Sequence, residues 1–203
     1  MILTNKQFDK YSKIVCDDVS IEEGEKIAAD LLNELTVSKN TMGLAAPQIG
    51  ITKNVCVINV KEPLIFINPK IIDKSEETFA FPEGCLSYPD EKVKTKRHIQ
   101  ITVEADNHES KLIFSADSKD VIDAFECTCV QHEIDHLNGI TMFDREFKLV
   151  PIKADKKYGR NETIVIISKD KKQTKKLKWK KAQPLINAGN WEPFTWVNEM
   201  MPK

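Results

Sequence analysis

The chain has 203 residues, 41% hydrophobic and 30% charged: long enough to bury a core, and too apolar to be a disordered polymer. Lys and Arg number 30 against 31 acidic residues, a formal charge of −1, so the chain as a whole has no polyanion-binding signature and no specific nucleic-acid partner is expected. Five cysteines, a polar opening stretch and no apolar run near the ~18 residues of a membrane span point to reduced thiols in a cytoplasmic protein with no membrane partner.

Taken in order, the first patterned stretch begins at Ser20, which forms a capping box with Glu23. Ile27, Ala28, Leu31, Leu32 and Leu35 follow at helical spacing, so an amphipathic helix is expected over 20–37. The segment Thr41-Met42-Gly43-Leu44-Ala45-Ala46-Pro47-Gln48-Ile49-Gly50 then mixes small residues with one polar side chain, Gln48, as a tight turn or a close approach to a ligand would.

Strands are expected at 55–60, 64–68 and 76–81, with Cys56 in the core. Phe81 to Pro89 breaks the pattern. Its Cys85 follows a glycine between two prolines, a rigid irregular setting that suits a fixed ligand. Residues 99–104 alternate cleanly and pair with 111–114 as an antiparallel hairpin, while His98 and His108 read as strand or surface histidines.

Ser118 is expected to cap a second helix over 119–137, with Asp120 in its first turn and Gly139 just past its end. Val121, Ile122, Phe125, Cys129, Val130, Ile134 and Leu137 recur at helical spacing, which makes this helix central. Cys127 and Cys129 read as structural thiols. From residue 148 the composition changes. A strand is expected at 162–167, and eight lysines lie between Lys169 and Lys181. Period-two alternation over 176–180 suggests the returning arm of a hairpin; its lysines could touch RNA or a ribosome surface through phosphates, but lysines that guard a sheet edge are the commoner explanation. The final aromatics, Trp191 to Trp196, are expected to fold back.

The chemistry concentrates in Gln131-His132-Glu133-Ile134-Asp135-His136. On a helix, positions i and i+4 share a face, so both imidazoles reach one cation. With Cys85 they make three ligands and leave one open position, the form of a catalytic rather than a structural metal site. Glu133 stands beside that position as a general base and later an acid. The Gln48 amide and the Leu86 backbone N–H are the candidate oxyanion donors.

Three motifs in order, Gly43-Leu44-Ala45-Ala46-Pro47-Gln48, Glu83-Gly84-Cys85-Leu86-Ser87 and Gln131 to His136, resemble the signature motifs of peptide deformylases. The resemblance implies an α+β fold, with antiparallel sheets around a central helix bearing the last motif. It spans about residues 1–147 as a catalytic domain. Residues 148–203 are left as a strand-like, lysine-rich extension expected to pack on the same domain.

The implied activity is hydrolytic removal of formyl from the N-formylmethionyl peptides of nascent proteins. The implied metal ligands are Cys85, His132 and His136; ferrous iron is the expected ion, and zinc, nickel or cobalt suit the same set. Gly43 and Gly84 are the implied backbone partners of an extended peptide. Phe81, Glu83, Phe125, Thr128 and Cys129 are the implied lining of its methionine pocket. Thr41 stands where the family usually has Gly. Lys92 stands where it often has Arg, and gives up bidentate geometry. The tail does not resemble the helix with which bacterial relatives dock on the ribosome, so that contact does not carry over. Two alternatives stay open: a zinc endopeptidase, and an inactive binding protein of the same fold.

Overall fold

The computed structural model describes residues 1–38, 41–116, 120–147, 150–151, 158–169 and 173–195. The architecture is α+β with antiparallel sheets. By internal contacts the chain divides into two units, Met1–Phe147 and Lys148–Lys203.

In the first unit, α1 (Ile21–Val37) starts where Ser20 accepts the Glu23 N–H at 3.3 Å. Its buried stripe of Ile27, Ala28, Leu31 and Leu35 packs on Leu44, Val55 and Val57. The strands β1 (Gly43–Ala45), β2 (Val55–Asn59) and β3 (Pro63–Ile67) form one sheet in that order. Successive β2 side chains point to opposite faces. Val55 and Val57 therefore meet α1, while Cys56 and Ile58 meet the second helix, α2 (Val121–Leu137). Burial on both faces explains why this strand reads as a continuous apolar run.

A second sheet has the order β4-β7-β8, from Lys70–Lys74, Gln100–Glu104 and Leu112–Ser115. Ile101, Val103 and Phe114 bring it against Cys127, Val130, Ile134 and Leu137 of α2. Helix α2 is thus wedged between two sheets, and its polar residues Glu126, Gln131, His132, Glu133, Asp135 and His136 are buried with the apolar ones. Buried polar groups need partners, so this helix is where the chemistry must be accounted for. Among the described residues, no helix is long and apolar enough to cross a membrane.

Two local expectations are corrected, and one strand was not foreseen. Helix α2 is capped by Asp120, whose carboxylate accepts the Ile122 N–H at 3.0 Å; Ser118 lies outside the described residues. The segment around Cys85 is not irregular throughout. Thr78–Cys85 is strand β5, paired with β6 (Tyr88–His98), and the register breaks only between Gly84 and Cys85. Pro82 is tolerated because a two-stranded ribbon consists of edges. Strand β6 was hidden by its polarity: Val93, Thr95 and Arg97 face inward, while the lysines at 92 and 94 face out.

In the second unit, β9 (Val150–Pro151), β10 (Thr163–Ser168), β11 (Thr174–Lys178) and β12 (Trp191–Thr195) form a sheet of order β11-β10-β12-β9. The returning arm ends at Lys178, because Trp179–Asn187 is helix α3, which the period-two pattern did not suggest. Ile164, Ile166 and Ala182 form a small core on which Trp191 packs. Trp196 lies outside the described residues.

Candidate metal centre

Cys85 ends β5, and His132 and His136 lie one turn apart on α2; their ligand atoms fall within 4.8 Å of one another and all three residues are buried. Cys85 Sγ is 3.4 Å from His136 Nε2, which is 3.1 Å from His132 Nε2. Tetrahedral coordination with metal–nitrogen bonds of about 2.0–2.1 Å and a metal–sulfur bond of about 2.3 Å requires edges of roughly 3.3 and 3.6 Å. The three donors are spaced to hold such an ion. Soft thiolate beside imidazole is a donor set for zinc or a late transition metal, not for magnesium or calcium.

The orientation of the His132 ring is fixed from outside, whereas His136 Nδ1 has no hydrogen-bond partner. His132 Nδ1 donates to Glu83 Oε2 at 2.8 Å, which leaves Nε2 facing the other donors. Glu83 is gripped in turn by Arg97, through Nε at 2.6 Å and Nη2 at 2.8 Å, and by the Thr95 hydroxyl. Arg97 also pairs with Asp135, which holds Arg145 at 2.7 Å. Burial works against the Glu83 charge, yet its hydrogen bonds to Arg97 and His132 hold the carboxyl well below the ordinary range. For His136, burial first and then the neighbouring His132 push the ring well below the ordinary value, so it is neutral and fit to donate a lone pair. The Phe8 ring stands edge-on to His136 at 5.3 Å. The same amino-terminal segment donates Leu3 N–H to the Gln48 carbonyl at 2.7 Å and Asn5 N–H to the Ser87 carbonyl at 2.8 Å.

Gln48 is 2% exposed. Its Oε1 accepts the Ala45 N–H at 2.9 Å, which orients the amide. Nε2 then donates to Ser87 Oγ at 3.2 Å and points toward Cys85 Sγ at 3.6 Å. Leu86 sits in the turn between β5 and β6, directly after the cysteine. Glu133 is buried, and burial lifts its carboxyl to about 7 against the opposing charges of His132 and Arg97. Its Oε2 has no hydrogen-bond partner, and the same is true of the Thr128 hydroxyl. An orphaned buried carboxylate oxygen on the residue next to His132 is a group that a bound water would satisfy.

The profile of the family described as polypeptide deformylase matches residues 4–153. The chain belongs to the peptide deformylase family. The peptide deformylase of Rhizobium meliloti is 41% identical over 130 residues, 61% of this chain and 71% of that protein. That of Hamiltonella defensa is 34% identical over 167 residues, 80% of this chain and 92% of that protein. The solved peptide deformylase from Thermotoga maritima is 29% identical with a TM-score of 0.61, over 72% of this chain and 96% of that one.

Of the residues expected to line a pocket in this peptide deformylase, Phe81 meets Phe125 edge-on at 6.0 Å, and the Cys129 thiol donates to the Met42 carbonyl at 3.4 Å. Gly84 lies across the ribbon from Lys92. A Cβ at Gly84 would meet only the Glu91 carbonyl, at 3.9 Å, so side-chain clash does not demand glycine there. Sequence reasoning missed Phe8, Ser87, Arg97 and the task of the Glu83 carboxylate. Nothing in the local pattern marks Arg97, which follows Lys94, Thr95 and Lys96.

Proposed function

We infer that the chain hydrolyses the formyl group from N-formylmethionyl peptides of nascent proteins, with Cys85, His132 and His136 as the ligands of one divalent metal ion. The observation that carries this reading is the convergence of those three donors beside the unpartnered oxygen of Glu133. The donor set fits ferrous iron, which we propose as the native ion, and also zinc, nickel or cobalt. When bound, the cation supplies Lewis acidity and makes water nucleophilic near neutral pH.

The residues divide the remaining work. Glu133 accepts a proton from the attacking water and returns it to the amine as the carbon–nitrogen bond of the formamide breaks, giving formate and a free amino terminus. Gln48 Nε2 and the Leu86 N–H donate to the oxygen that gains charge in the transition state; Ala45 and Ser87 hold Gln48 in place beforehand. The peptide lies extended. Among the described residues β1 pairs only with β2 and β5 only with β6, so Gly43 and Gly84 sit on strands with a backbone edge to offer. Phe81, Phe125, Thr128, Cys129 and the stem of Glu83 line the space for the methionine side chain.

An endopeptidase and an inactive binding protein are not favoured. The family match spans all three motifs, and the Gln48 amide 3.6 Å from Cys85 Sγ supports the hydrolytic reading. The test is anaerobic purification with metal analysis, followed by formate release from formyl-Met-Ala. Formate in proportion to bound metal is expected. Cleavage of internal peptide bonds without formate would replace this reading with the endopeptidase.

A further inference from the structure

The small net charge of the chain conceals a segregation. Residues 1–147 carry 16 Lys and Arg against 26 acidic residues, a formal −10, while residues 148–203 carry 14 against 5, a formal +9. The sign changes at the boundary between the two units. Most of the basic unit also lies beyond the deformylase profile, which ends at residue 153. The Thermotoga maritima enzyme is matched over 96% of its length by 72% of this chain, so its fold is complete without a unit of this kind.

Guarding a sheet edge does not account for the lysines. Lys175, Lys176 and Lys178 are exposed on β11, an edge strand, where one or two such residues would suffice to block pairing. The basic run continues into α3, where there is no edge. Lys180 and Lys181 are exposed in its first turn, which holds no acidic residue. Cations at a helix amino terminus oppose the helix dipole by about 0.3–1 kcal/mol each. Their placement works against the stability of the helix, and an external anion would compensate it.

We propose that residues 148–203 form a surface that binds RNA through its phosphates, with Lys176, Lys178, Lys180 and Lys181 as contacts. The unit has a core of its own, Ile164, Ile166 and Ala182, to hold those lysines on an ordered platform. Its described residues include no exposed large hydrophobic side chain, which a membrane-inserting surface would need. Phosphate contacts give affinity without reading sequence. The choice of RNA as the polyanion rests on the deformylase reading, because nascent peptides are made on RNA.

The test is fluorescence anisotropy of the full chain, metal loaded, with a labelled RNA hairpin at 50 and 200 mM salt. Four phosphate contacts give a slope of about −3.6 in log affinity against log salt, so binding should weaken on the order of 100-fold between the two. Charge reversal of all four lysines to Glu should reduce RNA affinity at least tenfold. The quadruple Lys→Arg variant should retain it, which separates lost charge from lost fold. Formate release from formyl-Met-Ala, followed in parallel, should be unchanged in both variants. No binding at 50 mM salt, equal binding by the Glu variant, or a preference for phosphatidylglycerol vesicles over RNA would overturn the proposal. Loss of formate release in the parent chain would instead count against the deformylase reading.

Discussion

Gly43 and Glu133 pack so closely that a Cβ on residue 43 would clash with Glu133 Oε1 and lie 2.9 Å from its Cδ; it would also lie 2.8 Å from Cys129 Sγ. The first motif therefore sets the position of the proposed base carried by the last. Gly43→Ala should push that carboxylate aside. Misplacement of a reacting group by about 1 Å costs on the order of 100-fold. We expect kcat/KM for formyl-Met-Ala to fall by about that factor while metal content stays the same. An active Gly43→Ala enzyme would show that Glu133 has room to move.

Glu133→Gln keeps the shape of the side chain and removes the proton acceptor. Positioned acid–base groups contribute about 100- to 10,000-fold. Formate release should fall within that range with one metal still bound per chain. Normal turnover would assign the base to another residue.

Arg97 neutralises two buried carboxylates, those of Glu83 and Asp135. Removing one partner of a buried ion pair costs about 3–5 kcal/mol, because the other charge is left unpaired. Arg97→Ala should lower the urea midpoint accordingly. Metal affinity should fall with it, since Glu83 would lose its hold on His132 Nδ1. Unchanged stability would mean that water reaches the pair.

Glu83 and Asp135 also set an acid limit. Burial raises both carboxyls, but the guanidinium groups beside them outweigh it and hold each below its ordinary value. With the folded pKa depressed, their contribution is complete above the unfolded value of about 4 and is lost as pH falls through the lower folded values. Urea unfolding of the metal-free chain should show stability still decreasing below pH 4. Stability that levels off at pH 4 would remove these two carboxylates from the account.

Much of the site was legible because its parts are short and local. His132 and His136 needed only helical periodicity, and Gln48 and Cys85 stood out against small or rigid neighbours. What holds them was not legible. Arg97 reads as one more cation after Lys94 and Lys96, and its partners lie 14 and 38 residues away. Phe8 sits in a weakly patterned opening segment, yet its ring packs on His136. Helix α3 was missed for a related reason: its amphipathic pattern begins at Trp179, inside a lysine run that already alternated as a strand. Long-range pairing decides these cases, and a single sequence carries little of it.

The claim on which everything else depends is that one sulfur and two imidazoles share a metal ion. Cobalt titration of the metal-free protein under argon tests it directly, through the thiolate-to-cobalt charge-transfer absorption and the ligand-field bands of a four-coordinate ion. We expect both to saturate at one equivalent, and the charge-transfer band to vanish in Cys85→Ala. A Cys85→Ala protein that still develops that band at one equivalent would contradict the assignment.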